Sequence, residues 1–82
     1  MFVVYAIYNS KHKKIYLGQT ADLQKRMNEH NNHSLGGYTS SYDGKWEVIY
    51  TENYETRIEA LKREKQLKSY RGREYVKRNI PE

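Results

Sequence analysis

The stretch from Phe2 to Gln19 constrains the fold of this chain most. Phe2 to Tyr8 (Phe-Val-Val-Tyr-Ala-Ile-Tyr) is an unbroken β-branched and aromatic run, the pattern of a strand. Asn9-Ser10-Lys11-His12-Lys13 is a polar turn, and Lys14 to Gln19 alternates, with Ile15 and Leu17 on one face and Tyr16 and Gly18 on the other. The two segments are short and adjacent, so they are expected to close as a β-hairpin. Pairing Asn9 with Lys14 sets Ile7 opposite Tyr16 and Tyr5 opposite Gly18. Tyr5 and Tyr16 then share a face as diagonal neighbours, within reach of each other. The missing side chain at Gly18 leaves room opposite Tyr5, by which a ligand is expected to reach the hydroxyl. Tyrosines also favour strands and fill small cores, so the pair reads equally well as packing.

The remainder divides into short elements. A helix is expected after the hairpin, with Thr20 or Asp22 as N-cap, running through Leu23, Arg26, Met27 and His30 and ending in Asn31-Asn32-His33. Ser34 to Asp43 is a Gly/Ser/Tyr loop of the length that often carries function. Lys45 to Thr51 reads as a third strand, and Thr56-Arg57-Ile58-Glu59 is a capping box opening a helix to about Ser69. Gly72 marks a break, and Glu74 to Asn79 a last short helix before Pro81. The order ββαβαα implies an α+β domain built on a small, mainly antiparallel three-stranded sheet flanked by helices. Its 82 residues are too few for two cores, so residues 1–82 are expected to form a single domain. A chain of this size buries about 60% of its unfolded surface, and nine Tyr, one Trp and one Phe must supply much of the core.

Composition excludes several function classes. Cysteine is absent, which rules out a disulfide scaffold and a thiolate zinc site and suits a reducing compartment. No apolar run approaches the roughly 20 residues of a membrane span, and no basic region followed by a hydrophobic stretch opens the chain; a soluble, cytoplasmic protein is expected. Fifteen Lys and Arg stand against ten Asp and Glu, a net charge of +5. The excess is concentrated between Lys62 and Arg78, where Glu64 and Glu74 are the only acids. Such a segment attracts phosphate backbones, although a Lys-rich solvated helix has the same composition.

Among the acids, Glu64 stands out. On a helical wheel with Ile58 at 0°, Ala60 lies at about 200°, Leu67 at about 180°, Leu61 at about 300° and Glu64 at about 240°. A carboxylate between Ala60 and Leu61 points toward the sheet, and burying it unpaired costs several kcal/mol. It therefore requires a cation or strong donors, or it lies at the edge of the stripe paired with Lys68 at i+4. Arg26 is suited to grip a phosphate bidentately and to offset charge developed in phosphoryl transfer, with a surface pair to Asp22 or Glu29 as the alternative. His30 lies four residues beyond Arg26 on the same side. His30 and His33 have i, i+3 spacing but no third ligand, so no zinc site is expected.

These residues, taken together and in order, resemble one family. Val3-Val4-Tyr5 followed by Tyr16-Leu17-Gly18 resembles the paired motifs that name the GIY-YIG nucleases. The likeness continues through Gly18 to Arg26, then Asn28-Glu29-His30-Asn31, and ends in Glu59 to Lys68, which is similar to the family's metal-binding helix. It extends over nearly the whole chain and is similar to small stand-alone members and to the N-terminal nuclease domain of the excinuclease C subunit. The first motif departs from the pattern, with Val-Val-Tyr in place of Gly-Ile-Tyr, but Tyr5 is kept.

The resemblance implies a metal-dependent endonuclease that hydrolyses DNA phosphodiesters, with a place in DNA repair or recombination. It implies that Glu64 holds Mg²⁺ or Mn²⁺, that Tyr5 and Tyr16 orient or deprotonate the attacking water, and that Arg26 contacts the scissile phosphate. His30 falls on a helix position often occupied by His or Tyr, and Asn79 on one where some members use Asn. A single inward-facing acid suits one hard cation that keeps several waters and stabilises the departing 3′ oxygen. A tyrosine acting as base needs help from the metal or from Arg26, because its ordinary pKa is near 10. Lys13, Lys14 and the Lys62–Arg78 segment are expected to hold the DNA backbone. The alternatives are a catalytically weak nucleic-acid-binding module and a nuclease subunit that depends on a protein partner, since no separate DNA-reading element is present.

Overall fold

Strand β1 (Phe2–Asn9) is the middle strand of a three-stranded sheet, flanked by β2 (Lys14–Thr20) and β3 (Trp46–Tyr54), both antiparallel to it. The computed structural model describes residues 1–81; Glu82, the last residue of the expected domain, lies outside the described residues. Val4, Tyr5, Ala6 and Ile7 are all buried, because a central strand with cover on both faces has no solvent side. That is why β1 reads as a continuous apolar run while β2, at the edge, alternates.

The two faces carry different cargo. Phe2, Val4 and Ala6 of β1, with Ile15 and Leu17 of β2, pack on Ala60, Leu67 and Val76 from helices α2 (Arg57–Leu67) and α3 (Tyr70–Lys77). Val3, Tyr5 and Ile7, with Tyr16 and Trp46, pack on Leu23 and Met27 of helix α1 (Leu23–Asn31). The hairpin register is the expected one, with Tyr5 opposite Gly18 and Ile7 opposite Tyr16. Between β1 and β3 the register shifts after Ala6, which pairs with Tyr50 while Ile7 pairs with Val48.

Caps set the helix boundaries. Asp22, and not Thr20, caps α1 by accepting from the Lys25 amide at 3.1 Å; the Thr20 hydroxyl instead accepts from the Asp22 amide. Thr56 caps α2 by accepting from the Glu59 amide, and its hydroxyl donates to the Glu59 carboxylate at 2.9 Å, where a full capping box would have that carboxylate accept from the Thr56 amide. β3 runs three residues past the expected Thr51, to Tyr54. The 34–43 loop contains a 3₁₀ turn, Thr39–Ser41.

Gly72 does not break the chain. It lies within α3, whose N-cap Ser69 accepts from the Gly72 amide, so the last helix begins at Tyr70 rather than Glu74. A Cβ at Gly72 would overlap the Gln66 carbonyl oxygen and Leu67 Cα, so its glycine serves the close approach of α3 to the end of α2. Helix α2 buries Ala60 and Leu67, whereas Leu61, expected with Ala60 on the sheet-facing side, is exposed. Arg63 and Glu64 therefore flank the buried seam on opposite sides. Arg63 donates from Nε and Nη2 to both oxygens of Glu52 on β3, at 2.8 and 3.0 Å, and the hydroxyls of Tyr50 and Tyr54 donate to the same carboxylate.

Arg63, with help from the tyrosine hydroxyls, holds the Glu52 carboxyl down to about 2. A depressed carboxylate contributes stability that is present above its ordinary pKa and is lost as pH falls toward the folded value. We predict that Glu52→Gln costs about 2 kcal/mol at about pH 7, since it leaves Arg63 with a weaker partner, and that the cost shrinks at about pH 3. Urea unfolding at the two pH values measures both, and an equal cost at each would exclude the ionic account. Helix propensity alone would make Gly72→Ala stabilising by about 1 kcal/mol. Overlap with the α2 backbone is expected to reverse the sign, giving a net loss of about 1–3 kcal/mol, and a raised urea midpoint would contradict the packing described.

Candidate active site

The site is built on the α1 face of the sheet. Tyr5 is 1% exposed, and its hydroxyl lies 2.8 Å from Nε2 of His30 in the last turn of α1. Leu23, Met27 and His30 recur at helical spacing, which turns His30 toward the sheet with the two apolar side chains. The other imidazole nitrogen, Nδ1, lies 2.9 Å from the hydroxyl of Thr39, which is also buried.

Burial raises the Tyr5 pKa above its ordinary value, and the neighbouring Tyr16 and Glu64 add to the shift against the opposing charge of Arg26. Tyr5 is therefore a phenol at neutral pH. Burial, reinforced by the positive charge of Arg26 and opposed by Glu29, lowers the His30 pKa, so the ring is neutral. Tyr5 keeps its proton and the neutral ring offers a lone pair at Nε2, so the Tyr5 hydroxyl donates to Nε2. That assignment places the imidazole proton on Nδ1, from which it donates to Thr39.

Tyr16 sits beside this pair, its ring 6.5 Å from Tyr5 and 5.3 Å from His30. It is less buried than Tyr5 and faces a groove of about 700 Å³ along the β2 edge. The space opposite Tyr5 is not an entry for ligand. A Cβ at Gly18 would lie 2.8 Å from the Tyr5 hydroxyl oxygen and 3.2 Å from a Tyr16 ring carbon, so the glycine makes room for the tyrosine itself. Of the two motif tyrosines, Tyr16 is the one presented to the groove.

Arg26 is 39% exposed, 3.5 Å from Glu29, and lines a smaller cavity of about 310 Å³ at the start of α1. Its charge acts on both Tyr5 and His30. Glu64 projects from the flank of α2 opposite Arg63, with its side chain 18% exposed and Oε2 accepting from Lys68 Nζ at 2.7 Å. The expected inward tilt and the alternative i+4 pair are thus both present. Asn79 lies apart from this cluster in its contacts, donating to the Val76 carbonyl in the turn after α3. His33 turns out of line with His30 through a left-handed backbone (φ 55°).

The donor chemistry fits one kind of cation. Among the described residues no three His, Cys, Asp or Glu side chains gather into a chelating group. A single hard, largely shielded carboxylate at the edge of a phosphate-attracting groove suits a divalent ion that binds chiefly through water and substrate oxygens. Tyr38 and Thr39 carry no motif signal in the sequence, whereas Lys68 is legible there as the i+4 partner of Glu64. Thr39 orients the imidazole, Tyr38 stacks on Tyr16 at 6.0 Å, and Lys68 holds the Glu64 carboxylate. The only sequence signal for the first two is their place in the Gly/Ser/Tyr loop.

The fold is that of a small α+β domain whose three-stranded sheet carries a buried tyrosine–imidazole cluster. More specifically, the chain belongs to the GIY-YIG catalytic domain family, whose model matches residues 1–79. It is 32% identical over 71 residues to a UPF0213 protein of Staphylococcus saprophyticus, covering 87% of this chain and 85% of that one. A UPF0213 protein of Staphylococcus epidermidis is 36% identical over 63 residues, covering 77% and 76%. The solution NMR structure of a UPF0213 protein from Bacillus halodurans superposes with a TM-score of 0.54 at 25% identity, covering 93% of this chain and 82% of that one. Members of the family generally use divalent metals. No helix among the described residues is long and apolar enough to cross a membrane.

The His30 environment makes a measurable prediction. Its NMR titration midpoint is expected below the ordinary imidazole value of about 6.5. Because the unfolded ring takes up its proton first, stability should fall as pH drops below about 6.5. A midpoint at or above that value would show that the ring is not held neutral by burial.

Proposed function

We propose that the protein is a metal-dependent endonuclease that hydrolyses DNA phosphodiester bonds, acting in the cytoplasm in DNA repair or recombination. The observation that carries this reading is the buried chain Tyr5–His30–Thr39, which places a neutral imidazole beside the groove-facing Tyr16. Membership of a nuclease family supports it.

In this reading the scissile phosphate lies between Arg26 and Glu64, beside Tyr16. Tyr16 orients the attacking water. The water oxygen bonds to phosphorus as the bond to the 3′ oxygen breaks, and the water proton leaves by way of the groove-facing Tyr16 hydroxyl to solvent, from which the departing oxygen takes up a proton. The buried Tyr5–His30–Thr39 chain fixes the position of the Tyr16 ring. Arg26 offsets charge on the phosphate oxygens. Mg²⁺ or Mn²⁺ held by Glu64, when bound, supplies the further positive charge that the phosphate and the departing oxygen require.

A second reading is favoured by one observation. Glu64 already has a cation partner in Lys68, which suits a nucleic-acid-binding module with weak or partner-dependent catalysis. The two readings separate in one assay. We predict that wild-type protein nicks at least one of branched, flapped, single-stranded or duplex DNA with Mg²⁺ or Mn²⁺. Glu64→Ala should lose that activity by at least about 100-fold, or about 2.7 kcal/mol, with an unchanged circular dichroism spectrum. Undiminished nicking by the variant would remove Glu64 from the mechanism, and binding without cutting by wild type on every substrate would favour the second reading.

A further inference from the structure

The groove on the β2 edge has a makeup that a site for phosphate backbone alone does not require. Its walls come from the β1–β2 turn on one side and from α3 with the end of α2 on the other. They carry Lys13, Lys14, Lys68, Arg73 and Lys77, and none of the described lining residues is acidic. Three tyrosines, Tyr8, Tyr16 and Tyr38, share the lining.

Tyr38 is the informative one. It stacks on Tyr16 with ring centroids 6.0 Å apart and planes 24° from parallel, while Tyr42 and Trp46 meet it at tilted angles of 58° and 52°. It is nevertheless 44% exposed. A large aromatic ring held by three neighbours but left open on the groove is a platform with a fixed orientation. The segment bearing it is tied to the fold at several points. Thr39 bonds His30, the Asn9 amide donates to the Asp43 carbonyl at 2.9 Å, and the Asn31 amide brackets both backbone groups of Trp46.

Cations along a groove attract any nucleic acid backbone. An open ring discriminates further, because bases in a duplex are already stacked on one another and only an unpaired base offers a free face. Building on the nuclease reading above, we propose that this groove binds single-stranded DNA, with an unpaired base stacked on Tyr38 next to Tyr16 and the flanking phosphates held by the lysines and Arg73. The strand then runs directly past the candidate site, since Tyr16 belongs to both and Lys68 joins the groove to Glu64.

The test measures binding in metal-free buffer, where no cutting occurs. Fluorescence anisotropy compares an oligothymidylate of about 12 nucleotides with an abasic strand of equal length and charge and with a duplex of the same length. Wild-type protein is expected to bind the oligothymidylate about tenfold more tightly than the abasic strand. Tyr38→Ala should abolish that difference, Tyr38→Trp should retain it, and duplex binding should change little in either. Lys13→Ala should weaken all three ligands alike and lower the salt slope by about 1. Equal affinity of wild-type protein for thymidylate and abasic strands would overturn the proposal whether or not the variants fold. So would an equal loss on duplex and single strand in Tyr38→Ala. Cleavage with no base preference in binding would leave the nuclease reading standing without the groove, and a base preference without cleavage on any substrate would do the reverse.

Discussion

The fork between Arg63 and Glu52 governs where the chemistry of this domain points. Helix α2 presents two fully buried side chains, Ala60 and Leu67, to the sheet. The bidentate pair on the β3 side adds a directional tie to that packing, reinforced by the hydroxyls of Tyr50 and Tyr54. Glu64 is the next residue, about 100° round the helix, so locking Arg63 toward β3 aims Glu64 toward β2. The acid proposed to serve the chemistry is thus oriented by its neighbour, which takes no part in it.

The opposite face of the sheet works by exclusion. Gly18 lets the Tyr5 ring lie flat across the edge strand, and α1 closes over it with His30, so a phenol and an imidazole meet out of water. In such surroundings both groups are held uncharged, the phenol because its anion is poorly solvated and the imidazole because its cation is. Arg26 sharpens the contrast, lowering the imidazole further while moderating the phenol. Tyr16 and Lys68 stay at the boundary, where this dry pair meets the cationic groove.

Much of this was legible in the residues. The hairpin register followed from one short polar turn and the alternation of Ile15, Tyr16, Leu17 and Gly18, because a period of two leaves no intermediate registers. The capping box at Thr56 and the element order were equally explicit. Gly72 misled because glycine inside a helix costs stability, and only the approach of α3 to the Leu67 backbone, a tertiary fact, explains its presence. The Glu52–Arg63 pair is separated by a turn and a helix start, with no pattern connecting the two residues. Gly18 reads as space in the sequence, but what fills that space depends on the rotamer of Tyr5. Thr39 and Tyr38 lie in a loop whose sequence suggests mobility, and their roles come from the anchors at Asn9, Asn31 and His30.

Trp46 is the chain's single tryptophan and is buried at the start of β3, its backbone bracketed by Asn31 and its ring 6.4 Å from Tyr38. Its indole N–H is buried without a partner among the described residues. Indole emission depends on local polarity and on nearby rings, so the one dominant fluorophore in the molecule lies against the loop that borders the groove. The Tyr38 ring that faces the groove is therefore among the neighbours that set the colour and intensity of the protein's own light.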